Sequence, residues 1–352
     1  LNFKIGCNKK KDMKMKNEMP MQPQAGIFKA MQNPDFYPHA VSAIEQRDTH
    51  ISKVFLTGDF AYKIKKPVDL EFLDFTTLDK RLHFCRQELI LNRRLAPQVY
   101  LDVLPITLKD GRYYLKGPGK AVEYAVKMRQ LPENYSLLRL VRRGKLSSNS
   151  LDDLARILAE FYVKALTSRE TTAIGSWETV RTNVEENFRQ TGEFVGKFID
   201  ERLYLIIRAA AQAFLRRRRP LFQRRLDRKK IRDCHGDLRA GHIYFYEGIQ
   251  IIDCIEFNDR FRYADITSDL AFLAMDLDFE GYPQIAGRLI SSFLKYTKDE
   301  EMLVLLDFYK GYRAFVRVKV NCLRLQKNDL SPGEKSKLRR ETQQYLELTY
   351  QY

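Results

Sequence analysis

The stretch HISKVFLTGDFAYKIKK, residues 50–66, alternates along its length. Val54, Phe55 and Leu56 run into Thr57-Gly58-Asp59, after which Tyr62 and Ile64 alternate with Ala61, Lys63 and Lys65. A two-residue period broken by a glycine-bearing turn predicts a β-hairpin. The period then changes. In LDKRLHFCRQELILNRRLAP, Leu78, Leu82, Cys85 and Leu89 recur three and four residues apart, which predicts an amphipathic helix stopped by Pro97. YLDVLPITL and GRYYLKG flank a turn at Asp110-Gly111, and AVEYAVKMRQL forms a further strand that ends at Pro132. These pieces predict a small antiparallel sheet with one helix inserted.

From Leu151 the pattern becomes helical. LDDLARILAEFYVKAL reads as a strong helix, 181–215 as one or two more, and 282–296, 300–325 and 335–348 as the last three. Two short strands around Tyr244 and Ile251 interrupt this run, with a turn at Glu247-Gly248. No internal repeat is present. The segment 132–150, containing RRGKLSSNS, is the natural division. The expected organisation is a flexible basic arm and lead-in over 1–40, a β-rich lobe over 41–132 and a mainly helical lobe over 133–352.

Composition narrows the class. With 352 residues the chain can bury a core in each of two lobes. No stretch approaches eighteen apolar residues, and the first 24 have no apolar segment of the kind a signal peptide needs. Five scattered cysteines, at 7, 85, 234, 254 and 322, form no CxxC pair, which argues against structural zinc and for a reducing, cytoplasmic setting. The formal charge of +16, from 61 basic and 45 acidic side chains, predicts attraction to polyanions. Part of it is concentrated in RRRRPLFQRRLDRKK, Arg216 to Lys230. A solvated helix face plus a loop, or a docking surface for a phosphorylated or polymeric partner, both fit that window. A nucleic-acid partner finds no recognisable reading module here and no interleaved aromatic except Phe222.

Candidate chemistry gathers in CHGDLRAGHIYFYEGIQIIDCIEFN, residues 234–258. Gly236 lets the backbone turn beside Asp237, while Leu238 and Ile243 can anchor the loop in a core. A carboxylate so held can orient a hydroxyl nucleophile and take its proton. The hairpin between His242 and Asp253 folds its ends together, so that both can share a divalent cation. In the first lobe Lys63 lies on a strand and Glu88 on the one helix, a pairing that fixes an ammonium for phosphate groups. Lys65 shares that strand face and remains a rival. Singly these residues read as solvated charges or turn formers; it is their order along the chain that is restrictive.

In VFLTGDFAYKIKKPV, FLDFTTLDKR, QELILNRRLAPQVYL, CHGDLRAGHI and IIDCIEFNDRFRYADITSDLAFLAMDLD the chain resembles the aminoglycoside phosphotransferase and choline kinase superfamily, relatives of protein kinases. Within it, the chain is most similar to a bacterial group of aminoglycoside-phosphotransferase-like proteins, some fused to a second ATP-binding domain. The resemblance runs from about Thr49 to about Asp276 and implies an α+β, two-lobe kinase-like fold that uses ATP with Mg²⁺ or Mn²⁺. It implies Lys63 as the phosphate-gripping lysine with Glu88 as its helix partner, and Met128 to Leu131, including Arg129, as the hinge that holds adenine. It further implies Asp237 as catalytic aspartate, Asp253 as metal ligand, and Asp269 with His235 as braces of the catalytic loop. Two departures stand out. THISK, residues 49–53, replaces the nucleotide-covering loop without a glycine, leaving Ser52 and backbone N–H groups for phosphate contact. His242 stands where the family has a metal-binding asparagine; imidazole suits Mn²⁺ better than Mg²⁺, or can donate a hydrogen bond to Asp237 or to a phosphate.

The resulting expectation is transfer of the γ-phosphate of ATP to a hydroxyl of a small molecule. The basic charge favours an anionic acceptor over a cationic aminoglycoside. The alternatives are a nucleotide-binding pseudokinase or regulator, and a nucleic-acid-associated protein using the basic window.

Overall fold

A computed structural model describes residues 24–70, 72–326 and 330–352. Its smaller lobe is one antiparallel sheet of six strands in the order β1–β2–β3–β8–β6–β7. These are β1 (Glu45–Asp48), β2 (Ser52–Leu56), β3 (Phe60–Lys65), β6 (Tyr100–Lys109), β7 (Arg112–Leu115) and β8 (Lys120–Arg129). Between β3 and the next helix, the two-residue strands β4 (Asp69–Leu70) and β5 (Leu73–Asp74) pair with each other. The predicted hairpin is β2–β3, with Gly58 at φ +96° in its turn, a conformation that favours glycine. Alternation gives β3 two faces. Tyr62 and Ile64 pack with Phe55, Leu104 and Ile106, while Ala61 packs with Cys85 and Val126 on the opposite side.

Two features differ from expectation. Residues 24–37, placed in a flexible lead-in, form the helix α1 (Gln24–Ala30) and a short 3-10 turn, with Ile27 and Met31 fully buried on the sheet. Residues 1–23 of the expected arm lie outside the described residues. The helix α2 (Leu78–Asn92) occurs as predicted, but its buried stripe is Arg81, Cys85, Glu88, Leu91 and Asn92 rather than the leucine face. Charges can line that stripe because each is paired. Arg81 donates to Glu123 and to the carbonyls of Phe75 and Thr76, and Glu88 receives two lysines.

The larger lobe begins with α3 (Leu137–Arg142) and α4 (Ser148–Lys164), followed by α5 (Arg169–Ile174), α6 (Trp177–Thr191) and α7 (Glu201–Asp227). Then come β9 (Ile231–Asp233), the hairpin β10 (Ile243–Phe245) and β11 (Ile249–Ile251), the short α8 (Asp259–Arg262) and β12 (Tyr263–Asp265). It closes with α9 (Ile266–Phe279), α10 (Pro283–Thr297), α11 (Met302–Leu325) and α12 (Pro332–Gln351). Helix α9 is buried nearly all round and forms the axis of the lobe. On one side it meets α4 and α10 through Leu154, Leu158, Leu289 and Phe293; on the other it meets α11. The basic window is the C-terminal half of α7, which continues through Pro220 instead of ending near 215. Leu221, Phe222 and Arg225 hold it in the core beyond the proline. No helix among the described residues is long and apolar enough to cross a membrane.

Candidate active site

Between β9 and β10 the chain forms a tight loop, residues 234–242, under the sheet of the small lobe. Gly236 has φ +86°, and a Cβ there would lie 3.0 Å from the Phe261 carbonyl oxygen, so conformation and space both require glycine. Asp269, fully buried in the first turn of α9, accepts the backbone N–H of His235 and of Gly236, each at 2.8 Å, and the Tyr162 hydroxyl at 3.0 Å. Arg313 of α11 closes the loop from the other side by donating to the Gly236 carbonyl at 3.1 Å. His235 is fully buried: Nε2 donates to the Ile252 carbonyl at 3.0 Å and Nδ1 accepts the Asp237 N–H at 3.3 Å. Burial pushes its pKa down to about 4, so the ring is neutral in ordinary conditions.

The loop presents Asp237 to the cleft. Arg239 grips its carboxylate with a fork, Nε to Oδ1 at 3.0 Å and Nη2 to Oδ2 at 2.9 Å. Burial opposes ionisation of this carboxyl, but the guanidinium and His242 together bring it down to about 2. His242 Nδ1 lies 3.0 Å from the Asp237 carbonyl oxygen, to which it must donate, so Nε2 carries the lone pair. That atom is 3.7 Å from Asp253 Oδ2.

Asp253 follows β11 with φ +66°, a strained conformation for a residue with a Cβ. The small lobe holds it there. The Tyr100 hydroxyl accepts its backbone N–H at 3.1 Å, and Asn92 Oδ1 accepts that of Cys254 at 2.8 Å. Lys63 Nζ donates to Asp253 Oδ1 at 2.7 Å and pairs with Glu88 Oε1 at 2.8 Å. Desolvation acts against charge on both partners, yet Lys63 and then His242 hold Asp253 well below the carboxylate range, and the two carboxylates raise Lys63 well above its own.

Asp237, His242 and Asp253 each offer a ligand atom, and these atoms lie within 4.8 Å of one another. Two ionised carboxylates and an imidazole lone pair suit a divalent cation such as Mn²⁺ or Mg²⁺, so the donor set fits the metal expected from the sequence.

Lys65 is fully buried between Glu88 (2.7 Å) and Glu256, so it supports the small lobe and does not face the cleft. Glu256 is thereby taken up by Lys65, and Asn258 caps α8. Ser52 is buried as the first residue of β2. The THISK segment is a short turn between β1 and β2, closed by Thr49, whose N–H donates to the Ser52 carbonyl and whose Oγ1 accepts the Ser52 N–H, each at 2.9 Å. Met128 and Leu131 join Val54, Ala61 and Ile252 in an apolar cluster beneath the sheet. Arg129 instead forks onto Glu247 of the β10–β11 turn. Arg239, Tyr100, Asn92 and Arg313 were not expected at the site. An arginine two residues after Asp237 was visible in the sequence, but loop spacing fixes no side-chain direction. An apolar cavity of ≈ 370 Å³ lies among α6, α7, α11 and α12 and shares no lining residue with this cleft.

No family model matches the chain. Uncharacterised proteins of Mycobacterium tuberculosis and Mycobacterium bovis are 34% identical to it over 282 residues, 80% of this chain and 55% of theirs. The chain thus spans about half the length of the curated relatives it matches. Among solved structures, a choline/ethanolamine kinase family protein from Mesorhizobium loti superposes with TM-score 0.53 at 11% identity, covering 93% of this chain and 99% of that one. The GDP complex of aminoglycoside 2'-phosphotransferase-IIIa gives 0.53 at 14% identity, with 91% and 98% covered. Spectinomycin phosphotransferase in complex with ADP and spectinomycin gives 0.50 at 12%, with 94% and 98% covered. The chain therefore shares the two-lobe, protein-kinase-like fold of these kinase and phosphotransferase structures.

Proposed function

We propose that this protein is an ATP-dependent phosphotransferase whose acceptor is a hydroxyl of a small, anionic molecule. The observation that carries the reading is the convergence of Lys63, braced by Glu88, on Asp253, with Asp237 and His242 on the far side of the same cleft. The apolar cluster of Val54, Ala61, Met128, Leu131 and Ile252 offers flat surface for a purine next to that lysine. Lys63 then neutralises phosphate oxygens. Asp253 and His242 hold a divalent cation, which when bound stabilises the charge that develops on the leaving diphosphate. Asp237 orients the acceptor hydroxyl in line with the γ-phosphorus. As the new O–P bond forms and the bond to the β-phosphate oxygen breaks, the hydroxyl proton passes to Asp237 and ADP leaves. An ionised carboxylate is a weak base, so it takes the proton late, as suits a loose transition state.

The net charge of +16 favours an anionic acceptor. The buried, unpaired thiols of Cys85, Cys234, Cys254 and Cys322 agree with a cytoplasmic setting.

The test measures nucleotide binding and ATP turnover with Mg²⁺ and with Mn²⁺, against a panel of anionic hydroxyl compounds. Asp237→Ala should keep nucleotide affinity and lose roughly 10²–10⁴ of the rate. Asp253→Ala should lose metal-dependent turnover. Binding without turnover across the panel would favour a nucleotide-binding regulator. No binding at all would sink the cleft reading.

A further inference from the structure

We infer that Arg239 is a built-in competitor for the divalent cation, its guanidinium sitting on the His242 nitrogen that the metal would use and on the Asp237 carboxylate beside it. The inference rests on the proposed metal site. Of the three candidate ligands, Arg239 engages two with a single nitrogen: Nη2 is 2.9 Å from Asp237 Oδ2 and 3.0 Å from His242 Nε2. Asp253 and Asp276 stand close enough to add their attraction to that of Asp237. Arg239 keeps about a quarter of its side chain exposed, which leaves it a route out.

His242 makes the competition obligatory. A carboxylate oxygen has lone pairs to spare and can serve a guanidinium and a metal together. A neutral imidazole has one acceptor nitrogen, and with Nδ1 committed to the Asp237 carbonyl that nitrogen is Nε2. An N–H from Arg239 and a metal cannot both occupy it. The asparagine of the resembling family would present an amide oxygen with two lone pairs and allow both. The histidine at 242 and the arginine at 239 thus form one device: metal enters only as Arg239 leaves Asp237, so the carboxylate is freed for a hydroxyl when the cation arrives.

The test is direct Mn²⁺ titration followed by the electron-paramagnetic-resonance signal of the free ion, on the 352-residue wild type, Arg239→Met, Arg239→Lys, His242→Asn and Arg239→Met/His242→Asn. Asp253→Asn serves as the site control, and thermal midpoints check folding. Arg239→Met should bind Mn²⁺ about tenfold or more tighter than wild type, since a tenfold change is only about 1.4 kcal/mol, within the strength of one charge-assisted bond. Arg239→Lys, which keeps the charge and loses the fork, should also bind tighter than wild type. In the His242→Asn background the effect of Arg239→Met should shrink several-fold. Equal or weaker binding by Arg239→Met, with binding still lost in Asp253→Asn, would overturn the inference and leave the metal site standing. Wild-type affinity in Arg239→Lys would reduce the effect to net charge and overturn it too. Mn²⁺ binding indifferent to Asp253→Asn would remove the metal site and the inference together.

Discussion

Two clusters built from the same residue types differ in what they leave open. In the large lobe Arg225 donates to Asp265 at 2.8 and 2.7 Å, to Asp299 and to Thr267, and the side chains of Arg225, Asp265 and Asp299 are at most 4% exposed. In the cleft, Asp237 keeps 25% of its side chain exposed and Asp253 43%, although both are paired with cations at 2.9 Å or less. Pairing alone therefore does not separate a structural ion network from a working one. Free lone pairs facing solvent do, and a strained backbone at Asp253 marks the second kind. The arginine-rich window of the sequence contributes its most constrained member to the closed cluster, which is the reverse of what a run of arginines suggests.

The largest expected effect breaks the closed cluster. Arg225→Met leaves Asp265 and Asp299 buried without their common partner and should cost about 3–5 kcal/mol of stability by urea denaturation. The folded fraction should bind nucleotide as before. Asp253→Asn should behave in the opposite way, with stability changed by about 1 kcal/mol or less and metal binding gone, because Asn tolerates the left-handed backbone and Lys63 keeps Glu88. Equal destabilisation by both would erase the distinction drawn between the clusters.

His235 sharpens the comparison, since it is fully buried although it lies directly beneath the open site. Its folded pKa, about 4, lies below that of an unfolded histidine. Above about pH 6.5 the ring is neutral in both states and carries no penalty. As pH falls from about 6.5 to 4 the unfolded chain takes a proton that the folded chain refuses, and about 3 kcal/mol of stability is lost. The paired carboxylates, lowered in the fold, lose their own contributions only below about pH 4.5, so the windows separate. His235→Gln should flatten the slope between pH 6.5 and 4.5 in denaturation series. An unchanged slope would assign it to another group.

Much of the fold was legible because period and punctuation agree: the β2–β3 hairpin, α2, the β10–β11 hairpin and the last three helices all follow from apolar spacing and turn residues. The buried stripe of α2 was not, because Arg81 and Glu88 are inside only by virtue of partners on β8 and β3, and pattern reading sees no partner. Helix α1 was missed for a similar reason: its anchor Ile27, with Met31 just past its end, sits in a short segment with no full amphipathic period. At the cleft, Lys63, Glu88, Asp237, His242 and Asp253 come together in the structure. Which of Lys63 and Lys65 faces the cleft was undecidable from sequence, since both share one strand face. Tertiary packing separates them, with Glu256 drawing Lys65 inward.

The smallest effect belongs to the exposed remainder of the arginine window. Arg219, Arg224 and Arg228 pair with Glu178 and Glu301, whereas among the described residues Arg216, Arg217 and Arg218 are exposed and make no ion pair. They lie more than two turns from the end of α7 at Asp227, too far to gain from the helix dipole. Arg216 is three residues from Arg219, a like-charge spacing that costs a few tenths of a kcal/mol. The triple change Arg216→Gln, Arg217→Gln, Arg218→Gln should therefore shift stability by no more than about 0.5 kcal/mol, if anything upward, and leave nucleotide affinity unchanged. Its salt-dependent retention on a polyanion should fall, because these are the charges free to release counterions. A loss above about 1 kcal/mol in urea denaturation would mean that these arginines belong to a cluster of the closed kind.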